Sequence, residues 1–366
     1  MTSPSRAGTV SNDMSKGRDL TLDLAKGILI ILVVLGHAIQ YSYGIEYSQS
    51  DLYFENPVFR IIYCFHMPMF MLISGYLFCS SNKKQFRTVI GSKLRAIGIP
   101  MISFIILYSF IDYVGMIRTN PWGIVTSFLD SIVRGWIMWF LFSILLNMFV
   151  VAVLTRISGN RIHQYLMMSA LFVISLFVPD TWLLSVHKFM FPFFCLGYAV
   201  RDSGIDPYKY HDKPWMMVLL TLASVLCVIW FDTDTYIYTT GFCINGRCSS
   251  QLYIDLKRMT VALIVSITFI RYVHLLSKKV SDSNGILARL GQMSLFIYGV
   301  NILANRYYPA VLLRLNVNPP HNPVIPVAFT LVFIAVAYLC YKLLEKYRIT
   351  GLLLLGRNYQ RSTTPD

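Results

Sequence analysis

Charge is what this sequence has least of. Only 14% of its 366 residues are Asp, Glu, Lys or Arg, against about 25% in soluble domains. Hydrophobic residues make up 55%, and mean hydropathy is +0.56. A chain so poor in charge and so rich in apolar side chains does not present a soluble surface; its solvent is lipid. Acidic residues are scarcer still, 18 against 32 basic, for a net charge of +14. The basic residues form no block or tail, so a nucleic-acid-binding role is excluded. The seven cysteines lack any metal-ligand spacing, and no metal is expected. No cleavable signal peptide is readable. Met1 to Leu20 is polar and rich in Ser and Gly, and is expected to be a disordered tail. The first apolar run is expected to be an uncleaved anchor.

Long apolar runs are there instead. A spanning helix needs about 20 mostly apolar residues. Ten such segments are expected, at 22–42, 57–79, 95–114, 136–155, 164–180, 182–200, 214–231, 257–275, 290–308 and 323–344. The fifth and sixth are separated only by Pro179, Asp180 and Thr181. Residues 121–134, opening on Pro121 and Trp122, read as a short interfacial helix. The fold class is therefore all-α: a membrane bundle over 21–345, between a tail at 1–20 and a second tail at 346–366. With the N-terminus inside, the inner segments hold 23 of the 32 Lys and Arg. That bias orients both termini to the cytoplasm. The first outer loop is acidic, with Glu46, Asp51 and Glu55.

Five cysteines (Cys64, Cys79, Cys195, Cys227 and Cys340) sit singly in apolar runs and read as packing residues. Cys243 and Cys248 flank a short outer turn, either as a disulfide or as two thiols.

Ionisable groups inside spans are costly, so each is a candidate for function. Lys26 and His37 lie eleven residues apart on one helix face, separated by about 16 Å along the axis. Lys26 is near the inner end and His37 in the outer half. His66, about 13 Å below the outer end of the second span at 1.5 Å per residue, comes to a similar depth. Two imidazoles at one depth imply a buried polar cavity, or else two histidines bonded to backbone carbonyls. Arg95 stands at a helix entrance five residues before Pro100, where a guanidinium can hold phosphates. Lys83 and Lys84 read as ordinary cytoplasmic charge. Glu345 is expected to pair with Lys342 or Lys346. His187, Lys188, Arg258 and Arg306 lie near outer helix ends and read as interfacial anchors.

The first span, Asp23-Leu-Ala-Lys26-Gly through Gly36-His37, resembles the opening of the acyltransferase type 3 family of membrane O-acyltransferases, in particular its fucose 4-O-acetylase-like branch. Four more stretches agree in order. They are Phe65-His66-Met-Pro with Ile73-Ser74-Gly75-Tyr76, Lys93-Leu-Arg95 through Pro100, Trp139-Phe140-Leu141, and Leu290-Gly-Gln-Met-Ser294 through Tyr298. Where the last motif often carries a histidine, this chain has Asn301, to which the resemblance gives no role.

The resemblance implies an enzyme that moves an acyl group, most often acetyl, from cytosolic acetyl-CoA to a hydroxyl of a cell-surface or lipid-linked saccharide. It implies a multi-pass protein of a bacterial inner membrane, acting in polysaccharide O-acetylation. His37 would be the general base, with Lys26 and His66 beside it in catalysis. Lys26 and Arg95 would hold the CoA phosphates, and Ser74, Tyr76, Trp139 and Tyr298 would be pocket walls. His66 would bond the acceptor or polarise the thioester carbonyl. Intramembrane His and Lys also serve transport paths, so a transporter of a small anionic or sugar substrate is the alternative. The acceptor, the acyl length, an acyl-enzyme and the oligomeric state are left open by the sequence.

Overall fold

The computed structural model describes residues 19–44, 46, 49–113, 122–134, 137–179, 184–208, 213–242, 248–280, 285–316 and 322–357. Most of the expected N-terminal tail, the Cys243–Cys248 turn and the end of the C-terminal tail lie outside the described residues. Within them the chain is helical, with no strand.

The α-helices of six or more residues are α1 (Leu20–Tyr41), α2 (Pro57–Tyr63), α3 (His66–Asn82), α4 (Phe86–Lys93), α5 (Ile99–Tyr113), α6 (Trp122–Arg134), α7 (Trp139–Ile157) and α8 (Arg161–Leu176). Then follow α9 (Leu184–Asp202), α10 (Pro214–Trp230), α11 (Cys248–Lys279), α12 (Ile286–Gln292), α13 (Ser294–Asn305), α14 (Tyr308–Arg314), α15 (Val324–Leu344) and α16 (Arg348–Leu353). Each of the ten expected spans falls on a helical segment. Among the described residues six segments are long and apolar enough to cross a bilayer: Leu20–Tyr41, Pro57–Asn82, Phe86–Ile111, Trp139–Ile157, Ser250–Lys279 and Val324–Leu344. The pair α12–α13, bent by 76°, makes a seventh if it is one span.

Local chemistry sets the ends. Asp19 caps α1, its carboxylate accepting from Leu22 N at 3.3 Å, and Asp23 sits in the first turn. Both complement the positive end of the helix dipole. Pro57 and Pro214 open α2 and α10, where no backbone donor is needed. A π-helical turn, Leu94–Gly98, joins α4 to α5 and carries Arg95.

Two backbone crossings fix the bundle. A Cβ on Gly75 of α3 would lie 2.0 Å from Phe194 O of α9, and one on Gly197 would lie 2.0 Å from Leu72 O. At the second crossing, a Cβ on Gly27 of α1 would lie 2.0 Å from Leu287 O, and one on Gly291 of α12 would lie 2.0 Å from Asp23 O. Small residues allow such contact, the usual means of tight helix association where lipid removes the hydrophobic drive. α10 and α15 turn Leu219, Leu222, Leu226, Leu331 and Leu339 outward, all exposed, as lipid-facing helices do.

After α15 the chain folds back. Arg357 donates to Glu345 at 3.0 Å and to the Tyr341 hydroxyl at 2.6 Å, and Lys342 pairs with Glu345 at 2.7 Å. Glu345 is thus held by Lys342, as expected, and by Arg357.

Candidate active site

α1 passes through the bundle with its last turns against a cavity of about 980 Å³. His37, His66, Trp139 and Tyr298 all line it. Four residues from four separate sequence motifs therefore meet around one space. Its walls are strongly aromatic, with eight tyrosines.

His37 is half-buried, and its Nδ1 lies 2.6 Å from Asn301 Oδ1 on α13. An amide oxygen only accepts, so Nδ1 carries the proton and Nε2 keeps its lone pair. Asn301 is itself fully buried and bonds reciprocally with Asn305 one turn on, at 3.4 Å in each direction. Each amide of the pair thereby holds the other in place. The Tyr41 ring meets the His37 ring edge-on, centroids 6.3 Å apart. On the other side, Gly36 leaves room for Tyr63: a Cβ there would lie 2.7 Å from the Tyr63 ring.

His66 is 3% exposed, and its Nδ1 donates to Ile62 O at 2.7 Å. The carbonyl forces the same tautomer as in His37, again leaving Nε2 as an acceptor. The Tyr63 ring packs edge-on against it at 4.7 Å. Trp139 stands at the first turn of α7, beside Tyr238 with centroids 6.3 Å apart. The Tyr298 hydroxyl is buried beside the Phe140 backbone and makes no hydrogen bond of normal geometry among the described residues.

Lys26, Arg95, Ser74 and Tyr76 are not among the cavity-lining residues. Lys26 pairs with Asp23 at 2.8 Å, and Gln292 of α12 donates to the same carboxylate at 3.4 Å. That ion pair is eleven residues down α1 from His37. Arg95 is exposed on the π-helical turn. Ser74 donates back to Phe70 O at 2.8 Å within its own helix. The Tyr76 hydroxyl accepts from Arg201 at 2.8 Å, with the guanidinium 5.0 Å from the ring centroid. The motif that contains Ser74 and Tyr76 has an evident packing role, since Gly75 between them makes the α3–α9 crossing.

Sequence reasoning gave Asn301 no role, although the pair Asn301 and Asn305 was visible. Two amides at i and i+4 in an apolar helix share one face, and a buried face with two amides needs a polar partner. It also placed Lys188 and Arg258 at the interface. Both are buried, at 3% and 1% exposure, and Arg258 lines the cavity. Among the described residues no group of three or more His, Cys, Asp or Glu is placed to hold a metal ion.

A family model for an acyltransferase domain matches residues 19–342. The chain is similar to the nodulation protein NolL of Mesorhizobium japonicum, with 28% identity over 289 residues, 78% of this chain and 76% of that protein. It is also similar to the nodulation protein NolL of Sinorhizobium fredii, with 27% identity over 243 residues, covering 65% of this chain and 64% of that protein, a little under two thirds of its length. No solved structure matches it.

Proposed function

The chain belongs to the acyltransferase-domain family, and on that premise we propose that it transfers an acetyl group from cytosolic acetyl-CoA to a hydroxyl of a cell-surface or lipid-linked saccharide, with His37 as general base. It is a membrane acyltransferase; the donor, the acceptor and the residue roles are the proposal. The observation that carries it is the 2.6 Å bond from His37 Nδ1 to a fully buried Asn301, at the wall of an aromatic cavity. A base needs one nitrogen held and the other free, and this contact supplies that division.

The acceptor hydroxyl gives its proton to His37 Nε2 as its oxygen attacks the thioester carbonyl carbon. The tetrahedral intermediate collapses, the C–S bond breaks, and the departing sulfur takes the proton back from the imidazolium. The products are a sugar ester and free CoA thiol. His66, whose Nδ1 proton is committed to Ile62 O, is an acceptor at Nε2. It therefore suits a hydrogen bond from the acceptor sugar better than polarisation of the thioester carbonyl. The Tyr298 hydroxyl is the buried donor that can meet that carbonyl oxygen as negative charge develops on it. General-base catalysis typically contributes 10²–10⁴-fold, which sets the scale of the loss when His37 is replaced.

The CoA phosphates would rest at the inner mouth on Lys26 and Arg95. Lys26 is held by Asp23, so its charge is partly compensated, whereas Arg95 lies exposed on its π-helical turn. The two ends of α1 thus take the two substrates, with the pantetheine arm spanning the distance between them. The membrane in question is the bacterial inner membrane, with both termini cytoplasmic.

Sealed inside-out membrane vesicles test the sidedness. Membrane-impermeant radiolabelled acetyl-CoA is added outside them, where the cytoplasmic face is exposed, and label is counted in the saccharide fraction. Label is expected there and not with right-side-out vesicles. Accumulation of an intact substrate in the lumen without release of CoA thiol would instead make the protein a transporter.

A further inference from the structure

Part of the cavity wall comes from the connection between α10 and α11, where Phe231 to Phe242 holds only a 3₁₀ turn at Thr233–Thr235 and a single helical turn at Ile237–Thr240, and contributes Tyr236 and Tyr238 to the lining. Turns this short leave most of their carbonyls without helical partners, and buried carbonyls need partners from elsewhere in the protein. Here two buried cations supply them. Arg258 donates to Gly241 O at 2.5 Å, to Thr240 Oγ1 at 2.5 Å and to Asp234 O at 3.2 Å. Lys188 donates to Phe242 O at 3.3 Å, while Ser185 Oγ accepts from Phe242 N at 3.0 Å. At the near end, Asp232 and Thr235 cap one another and Lys257 pairs with Asp232 at 2.5 Å.

Burying a guanidinium to 1% exposure is costly unless its donors are used. Arg258 turns its two terminal nitrogens on three points of an eight-residue stretch, Asp234 to Gly241, and Asp255 lies 3.5 Å from the same guanidinium. What that stretch presents is aromatic. Tyr236 packs among Tyr53, Phe54 and Tyr63, with centroids 6.4, 5.5 and 5.8 Å away, and Tyr238 lies between Tyr236, at 5.1 Å, and Trp139.

We infer that Arg258 is a positioning residue for the acceptor: it pins the segment 231–242 so that Tyr236 and Tyr238 form the wall on which one face of a pyranose ring rests. A pyranose has an apolar C–H face and a rim of hydroxyls. Tyrosine matches both, with a flat apolar ring and a polar tip. A slot for an acyl chain has no use for eight phenolic hydroxyls. This inference rests on the acyl transfer to a saccharide proposed above.

The test titrates both substrates. The acceptor is the saccharide fraction of host envelopes, stripped of its O-esters by mild alkali; the donor is radiolabelled acetyl-CoA. Tyr238→Ala, Tyr236→Ala and Arg258→Met are compared with wild type at equal protein in the membrane. The expected result is a rise of tenfold or more in the acceptor concentration giving half-maximal labelling, with the acetyl-CoA KM within twofold of wild type. Tyr238→Phe, which keeps the ring face and loses only the polar tip, should raise the acceptor value less than Tyr238→Ala does and leave the acetyl-CoA KM within twofold. Equal rises for donor and acceptor, or no rise for acceptor, would overturn the inference. Should Arg258→Met fail to reach the membrane, the tyrosine variants decide. Absence of label with wild type would instead remove the proposed reaction, and this inference with it.

Discussion

His37 could be found from sequence because its chemistry is rare in lipid and its spacing from Lys26 puts both on one face. Asn301 could not be assigned in the same way, since an asparagine in an apolar helix carries no reactive group to mark it. Its meaning comes from the contact: a fully buried amide whose oxygen accepts from the imidazole. Replacing Asn301 by Leu leaves His37 Nδ1 without its partner, and an unsatisfied buried polar group costs about 1–3 kcal/mol. If that cost falls on the transition state, kcat drops by roughly 5- to 150-fold. Steady-state kinetics should show the loss in kcat, with the acetyl-CoA KM little changed. A KM effect alone would place Asn301 in donor binding instead. Ser74 and Tyr76 mark the opposite limit of sequence reading: they sit in the motif but not on the cavity, because the residue that matters between them is a packing glycine.

At the scale of elements, the helices were legible from hydropathy, and each expected span meets a helical segment. The 76° bend between α12 and α13 was not. It falls at Met293, with no proline to announce it, next to the glycine crossing with α1. Nor was the pinned connection 231–242 legible, because Lys188 and Arg258 near helix ends look like ordinary interfacial charges until their donors are counted.

Three predictions belong here. Gly75→Val forces a side chain into the Phe194 carbonyl and should destabilise the protein by at least the ~1–3 kcal/mol of an overpacked core, read as a lower melting temperature in detergent. Gly91→Ala on α4, where a Cβ meets nothing within 4 Å, should be neutral or slightly stabilising.

The third concerns Asp232, outside the spans. Burial raises its carboxyl pKa, but the hydrogen bonds from Lys257 and Thr235 outweigh that and hold it below the ordinary carboxylate value. A depressed carboxylate adds stability above its unfolded pKa, about 3.9, and that stability is lost as pH falls through the depressed value. Wild type should therefore melt above Asp232→Asn near neutral pH, and the difference should close as pH drops below the ordinary carboxylate range. A gap independent of pH would mean that the Lys257 pair does not anchor the segment.

For the whole molecule, scarce charge and long apolar runs specify a membrane bundle before any motif is read. The structure adds how the bundle is made: two glycine crossings bring α1, α3, α9 and α12 into backbone contact, and the space left at one end of α1 is walled by aromatic rings. Because lipid-facing surface and cavity wall are both apolar, hydropathy alone cannot say which residues face which. That is why most of the cavity's lining emerged only from the fold, although two histidines at one depth already implied a cavity. The cytoplasmic bias of Lys and Arg predicts that a fluorescent protein fused after Arg357 will fluoresce, whereas alkaline phosphatase fused there will be inactive; the reverse would invert the bundle and with it the side from which the donor enters.

The central claim is that acyl transfer runs through His37. The most direct measurement supplies radiolabelled acetyl-CoA to cell envelopes carrying wild type or His37→Gln, at equal protein in the membrane, and counts label in the saccharide fraction. Label with wild type and a loss of 10²-fold or more with His37→Gln, in the range of general-base catalysis, is the predicted result. Equal label from both would contradict the assignment of the base and turn attention to His66.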